Sequence, residues 1–261
     1  MSYAILVIFL FILLYLTKRE VNVENFTSIN KEEFVDNNLD IFYINLDKSK
    51  DRREKMEKQL KLNNFKYKRF PAYNGKMVKS NFKNNLSKNF NIINNKGFIF
   101  KKKKGSLGNF ISQLTCWYNF YKKSDKKYIM VMEDDIVFNG LNKKVIFDVL
   151  NGLKNENWTM VKFFCFSSHK KVGDDYNDLL VKTQINWKNH KNKQNTGMQC
   201  YIINRNNIMK LIEDLLPIHN DTFDIKVKLM MDKHDIFITK KDYVLTPDHN
   251  NQSDRKKMDY S

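Results

Sequence analysis

Cysteine is scarce. The 261 residues hold three, Cys116, Cys165 and Cys200, odd in number and far apart. That spacing excludes a disulfide framework and a cysteine-based zinc site. Each sits in an apolar stretch, as a small core residue does, so the fold has no need of an oxidising compartment. Glycine (8) and proline (3) are also few, as is alanine, while Lys, Asn and Ile are abundant throughout. There is no internal repeat, which excludes solenoids and propellers. Negative charge is short as well: 29 Asp and Glu stand against 46 Lys and Arg, a formal net charge of +17. Such an excess suits anionic partners, and a coding bias towards Lys and Asn would equally produce it. What is present is ample for a core. At 42% hydrophobic and 13% aromatic the chain is not globally disordered, and its length fits one generous domain plus an anchor.

Tyr3 to Leu16, "YAILVIFLFILLYL", is an uninterrupted apolar run. No basic residue precedes it and no small-x-small cleavage site follows, which argues against a signal peptide. As a helix its 14 residues span roughly 21 Å, and Met1, Ser2 and Thr17 extend it towards the ~30 Å hydrocarbon core. The expectation is a single-pass transmembrane anchor over 1–17, a polar stem over 18–38 and a soluble domain over 39–261. Lys18 and Arg19 follow the run, so the positive-inside rule leaves the domain on the cytosolic side.

Within the domain, "LDIFYINL" (39–46) has the make-up of a buried strand, residues 47–64 are charged and helix-favouring, and "FKYKRFPAY" (65–73) alternates like a strand before an Asn74-Gly75 turn. Strand, helix, strand at this spacing predicts a βαβ unit and a parallel sheet. Leu107, Phe110, Ile111, Leu114, Trp117, Tyr118 and Tyr121 recur at helical spacing, predicting a helix over 106–121 with Ser106 as N-cap and a polar stripe of Ser106, Asn109 and Gln113. Further strands are expected in 158–166 and 198–205, helices over 206–216 and 221–232, and a closing strand over 236–245.

"YIMVMEDDIVF" (128–138) ends a buried strand in Glu133, Asp134 and Asp135. Adjacent carboxylates cannot be buried without compensation. They belong just beyond the carboxyl end of a strand, where open α/β sheets bind ligands. A divalent cation relieves their repulsion, and Mg²⁺ or Mn²⁺ takes carboxylate oxygens together with substrate phosphates. The bland alternative is an exposed acidic turn or an N-cap at Asp135.

Four segments in series, "INLDKSKDRREKME" (44–57), "RFPAYNGK" (69–76), "GSLGNFISQLTCW" (105–117) and the Glu-Asp-Asp strand end, resemble glycosyltransferase family 25. That family includes lipooligosaccharide and collagen hydroxylysine galactosyltransferases. "NTGMQCYIINRNNIMKL" and "LPIHNDTFDIKVKLMMDKH" continue the likeness, which covers about 40–254. The resemblance implies a GT-A fold, a Rossmann-like sheet with flanking helices that binds a nucleotide-sugar. Asp134 and Asp135 would hold Mn²⁺ or Mg²⁺, with His249 as a further ligand or else an exposed tail residue. Asn45, Leu46, Arg53, Glu133 and Gln113 would meet the nucleotide-sugar. Arg52 or Arg53 would pair with phosphate or else face solvent. Asp224 would be the general base of an inverting transfer, or else an ordinary first-turn helix acid.

Three positions depart from the family pattern. Ser106 replaces a Glu, Gln113 replaces the His of a Ser-His pair, and Asn74 replaces an Asp. Gln113 does not titrate but can hydrogen-bond a sugar hydroxyl. The expected activity is hexose transfer, galactose or glucose, from a UDP-sugar to a glycan or a hydroxylated protein side chain, with lipopolysaccharide biosynthesis as the setting. Two other readings remain. One is a metal-dependent phosphoesterase on the same acids, against which stands the lack of a second His and acid cluster. The other is a basic, membrane-tethered polyanion binder that has lost catalysis.

Overall fold

The computed structural model describes residues 30–78, 84–90, 104–154, 156–166, 171–185, 194–218 and 221–246. In chain order the elements are α1 (Lys31–Asn38), β1 (Leu39–Asn45), α2 (Lys50–Leu62), β2 (Tyr67–Pro71), a 3-10 turn (Gly75–Met77), α3 (Lys104–Lys123), β3 (Tyr128–Glu133), β4 (Val137–Phe138), α4 (Lys143–Gly152), β5 (Met160–Lys162), β6 (Gly173–Asp175), β7 (Leu180–Thr183), β8 (Cys200–Asn204), a second 3-10 turn (Arg205–Asn207), α5 (Ile208–Leu215), α6 (Phe223–Lys228), β9 (Ile236–Thr239) and β10 (Val244–Leu245). Eight strands form one sheet in the order β2-β1-β3-β8-β5-β9-β7-β6, and β4 pairs with β10 in a separate ribbon.

Strand periodicity builds two cores, one on each face of this sheet. On β3, Ile129 and Val131 join the layer of α3, α5 and α6, while Met130 and Met132 join the layer of α2 and α4. The charged helix α2 buries only Met56 and Leu60, four residues apart on one stripe. It ends where Asn64 takes a left-handed φ of 54°, a conformation Asn tolerates. β1, α2 and β2 form the expected βαβ unit, with β1 parallel to both β2 and β3. Cys116, Cys165 and Cys200 are free and buried, and burial raises the Cys116 and Cys200 thiols well above the ordinary range.

The structure corrects several expectations. The sheet is mixed, because β8 runs antiparallel to β3 and β5, and β7 antiparallel to β9. β9 lies inside it between β5 and β7 rather than closing it. α3 begins at Lys104, so Ser106 is a buried residue within the helix and not its N-cap. The stem expected over 18–38 stops earlier: residues 31–38 fold as α1, whose Val35 is buried and whose Phe34 packs edge-on to Phe147 of α4 at 5.2 Å. Asn30 caps this helix through the amides of Glu32 and Glu33. The anchor expected over 1–17, the rest of the stem and His249 lie outside the described residues. Among the described residues no helix is long and apolar enough to cross a membrane.

Two of the glycines in the recognised segments have a steric reason. The 3-10 turn after β2 lies directly on the first turns of α3. A Cβ on Gly75 would collide with the Lys104 carbonyl, and one on Gly108 would collide with the Tyr73 carbonyl and come within 2.7 Å of the Gly75 amide nitrogen. Ser112 Oγ fastens the same contact, accepting from the Tyr73 amide at 2.8 Å and donating to the Gly108 carbonyl at 2.6 Å. One buried charge also stands out. Lys162, at the end of β5, is 1% exposed and donates from Nζ to the Asn195 carbonyl at 2.5 Å. Burial lowers its ammonium from an ordinary 10.5 to about 8.

Two outcomes are expected. Gly108→Ala should destabilise by about 1–3 kcal/mol in urea unfolding, through overpacking against backbone. In a helix without that contact the same change would stabilise by up to ~1 kcal/mol, so the sign decides. Lys162 binds its proton less tightly folded than unfolded. Its contribution to unfolding free energy should therefore rise with pH between about 8 and 10.5, by up to about 3 kcal/mol. Lys162→Met should lack that rise, and parallel wild-type and variant pH profiles would refute the burial argument.

Candidate active site at the carboxyl edge of the sheet

Glu133, Asp134 and Asp135 follow the last apolar residue of β3, next to the carboxyl end of β1. Strand alternation separates them. Glu133 continues the parity of Ile129 and Val131 and turns to α3, where Asn109 Nδ2 donates to its Oε1 at 2.9 Å and Gln113 Nε2 at 3.5 Å. Asp134 has the opposite parity and turns to α2, where Arg52 Nη1 lies 3.3 Å from its Oδ1. Asp135 follows in the turn, with its Oδ2 3.8 Å from the same nitrogen.

Asn45, the last residue of β1, is 1% exposed and ties this edge together. Its Nδ2 donates to Asp134 Oδ2 at 2.5 Å and to the Ser49 carbonyl at 3.0 Å. Its Oδ1 accepts from Arg53 Nε at 3.2 Å and Arg69 Nε at 3.1 Å. An amide side chain offers two donor hydrogens and two lone pairs, so Asn45 is saturated and positions its neighbours. Arg53 reaches on to the Asp47 carbonyl, and Arg69 Nη2 donates to the Asp47 carboxylate and the Asn45 carbonyl. Arg69 holds the Asp47 carboxyl below the usual carboxylate range. Of the two arginines weighed for phosphate, Arg53 is built into this frame and Arg52 faces the acids. Leu46 stands half-buried at the strand's end, its carbonyl accepting from the Ser49 amide at 2.9 Å.

Gln113, expected to meet a sugar hydroxyl, is fully buried. Trp117 Nε1 donates to Tyr201 Oη at 2.9 Å, Tyr201 Oη donates to Gln113 Oε1, and the Gln113 amide faces Glu133. Gln113 is therefore closed to solvent and faces Glu133. Sequence reasoning missed Arg69, Asn109 as a Glu133 partner, and Tyr201. The available signal for Asn109 was its place four residues before Gln113 on one polar stripe. For Tyr201 it was its place in the "NTGMQCYIINRNNIMKL" segment, four residues after Gly197.

Asp224 lies in the first turn of α6, half-buried, with Oδ1 accepting from Thr222 Oγ1 at 2.5 Å. α6 packs on α3, Phe223 meeting Phe110 at 5.1 Å and Trp117 at 5.4 Å. Asp224 thus shares the α3 side of the sheet with Glu133 and acts electrostatically on buried Lys162. No hydrogen bond or ion pair among the described residues joins it to the acidic triplet.

The donor set at Asp134 and Asp135 fits a hard divalent cation. Both are carboxylates, and Asp135 Oδ1 is buried without a hydrogen-bond donor among the described residues, a state that normally calls for a partner. Among the described residues no three His, Cys, Asp or Glu side chains converge on a common point. A Mg²⁺-type ion that shares substrate phosphates needs only one or two protein carboxylates.

No curated protein matches the chain. Solved structures similar to it include a glycosyltransferase involved in glycosylation of the major capsid of PBCV-1, with TM-score 0.40, 9% identity, and coverage of 85% of this chain and 97% of that one. Residues 1–349 of S. aureus TarS match with TM-score 0.44, 10% identity, and coverage of 79% and 59%. Likeness at this level carries no functional argument. The model of glycosyltransferase family 25 (LPS biosynthesis protein) matches residues 38–231. That span includes β1 to α6 and with them the whole acidic edge, so the chain belongs to glycosyltransferase family 25.

Proposed function

We propose that this glycosyltransferase is a membrane-anchored, Mn²⁺- or Mg²⁺-dependent enzyme of GT-A type. It moves a hexose, galactose or glucose, from a UDP-sugar to a hydroxyl of a glycan or of a hydroxylated protein side chain. The observation that carries the reading is the Asp134–Asp135 pair at the carboxyl edge, with a buried Asp135 oxygen that no donor among the described residues satisfies. In this reading Asp134 and Asp135 hold the cation, with His249 as a further ligand. The bound cation would supply Lewis-acid stabilisation of the diphosphate leaving group. The apolar run at 3–16 supports the anchor.

The chain's own residues then divide the work. Asn45 holds Asp134, Arg53 and Arg69 in place, and Leu46 contacts the nucleotide at the end of β1. Glu133, oriented by Asn109 and Gln113, accepts hydrogen bonds from the sugar's hydroxyls. Asp224 takes the proton of the acceptor hydroxyl as its oxygen bonds to C1 of the sugar and the C1–O bond to the diphosphate breaks, releasing UDP. A carboxylate on the face opposite the leaving group inverts the anomeric centre.

The test is a panel of UDP-sugars with Mn²⁺ on the full chain, followed by product analysis. Wild type should release UDP from one donor. Asp134→Ala combined with Asp135→Ala should abolish that release, and unchanged turnover in the double variant would refute the metal site. Tyr201→Phe removes the hydroxyl that fixes the Gln113 amide. It should lower kcat/KM for the donor roughly ten-fold, the size of one lost buried hydrogen bond, with unfolding still cooperative. Unaltered kcat/KM would show that the relay does not orient Glu133.

A further inference from the structure

Arg52 stands against both carboxylates of the Asp134–Asp135 pair. Its side chain is 19% exposed, and Nη1 lies 3.3 Å from Asp134 Oδ1 and 3.8 Å from Asp135 Oδ2. Nη2 donates to Ser49 Oγ at 3.1 Å, one turn back at the start of α2. The guanidinium therefore covers carboxylate oxygens that a cation would need. It neutralises only one of two negative charges, and Asp135 Oδ1 has no donor among the described residues. Arg53, its neighbour, is fixed by Asn45 and the Asp47 carbonyl, so Arg52 is the arginine of this pair that faces the acids. A guanidinium cannot lose its proton at ordinary pH and binds diphosphate oxygens through a planar fork.

We propose that Arg52 is an exchangeable counter-ion of the Asp134–Asp135 pair, which moves from the carboxylates to the nucleotide diphosphate when the donor binds, and so couples divalent-cation binding to nucleotide binding. The inference rests on the metal and diphosphate reading of the site. Without nucleotide, Arg52 and the cation compete for the same oxygens, and the cation binds weakly. With nucleotide, the diphosphate gives the guanidinium a better partner and frees the carboxylates. Linkage makes the effect reciprocal: the cation must favour the nucleotide by the factor with which the nucleotide favours the cation. A site with this property avoids taking up a divalent ion before there is a diphosphate to share it.

The experiment titrates Mn²⁺ into the full chain, reading free Mn²⁺ by its electron paramagnetic resonance signal, with and without saturating UDP. In wild type, UDP should tighten Mn²⁺ binding by about ten-fold or more, within the usual range of coupling. In Arg52→Met, Mn²⁺ alone should bind several-fold tighter than in wild type, and the enhancement by UDP should shrink to the part that direct cation–phosphate contact supplies. Arg52→Lys keeps the charge and loses the fork, so it should leave binding of Mn²⁺ alone near the wild-type value and still reduce the enhancement. Circular dichroism confirms that each variant is folded. Identical Mn²⁺ affinities and identical UDP enhancement in wild type and both folded variants would overturn the role of Arg52 and leave the metal site standing. Absence of Mn²⁺ binding to wild type even with UDP would overturn both.

Discussion

One buried amide governs the acidic edge. Asn45 uses both donors and both lone pairs, on a carboxylate, a backbone carbonyl and two guanidinium groups. No other residue of its size can do this. Aspartate would set a carboxylate against Asp134, and leucine would leave Asp134 without its closest donor in a place that is mostly closed to water. Low local dielectric strengthens every bond in the cluster and raises the cost of losing one. Through this side chain the end of β1 fixes β3 by Asp134, α2 by Arg53 and β2 by Arg69. The geometry at the edge is thus set by one strand terminus and not by the flexibility of three.

The legible part of the fold was the part written in short-range patterns. The β1-α2-β2 unit followed from strand, charged helix and strand in sequence, and the position of the acids followed from an apolar run that stopped abruptly. Strand direction is not encoded in hydrophobicity, so the antiparallel course of β8 and β7 could not be read. Residues 31–38 look like stem because an eight-residue helix that buries only Val35 leaves almost no periodic signal. At the site, residue types were legible and their duties were not. Gln113 is polar and on the right stripe, yet its partner Tyr201 is 88 residues away, and only the assembled sheet shows that the pair is closed to solvent. Asn45 sat at the predicted strand end, but saturation of its side chain depends on Arg69 from the next strand.

Gly75, Gly108 and Ser112 show why the segments after β2 and at the start of α3 read as linked motifs. They form a single backbone-to-backbone contact. That contact seats the first turns of α3, the helix that carries Asn109 and Gln113 to Glu133.

The sheet itself is a partition. Glu133 and Asp134 are adjacent in the chain, but pleating sends one to the α3 layer and the other to the α2 layer. The three departures from the family pattern, Asn74, Ser106 and Gln113, all belong to the α3 layer or to the turn that rests on it. The α2 layer keeps its arginines, its asparagine hub and its paired aspartates. On the proposed function, the residues that would meet the sugar and those that would meet the diphosphate therefore lie in different layers of one edge. A glycosyltransferase built this way can diverge in one layer without disturbing the other.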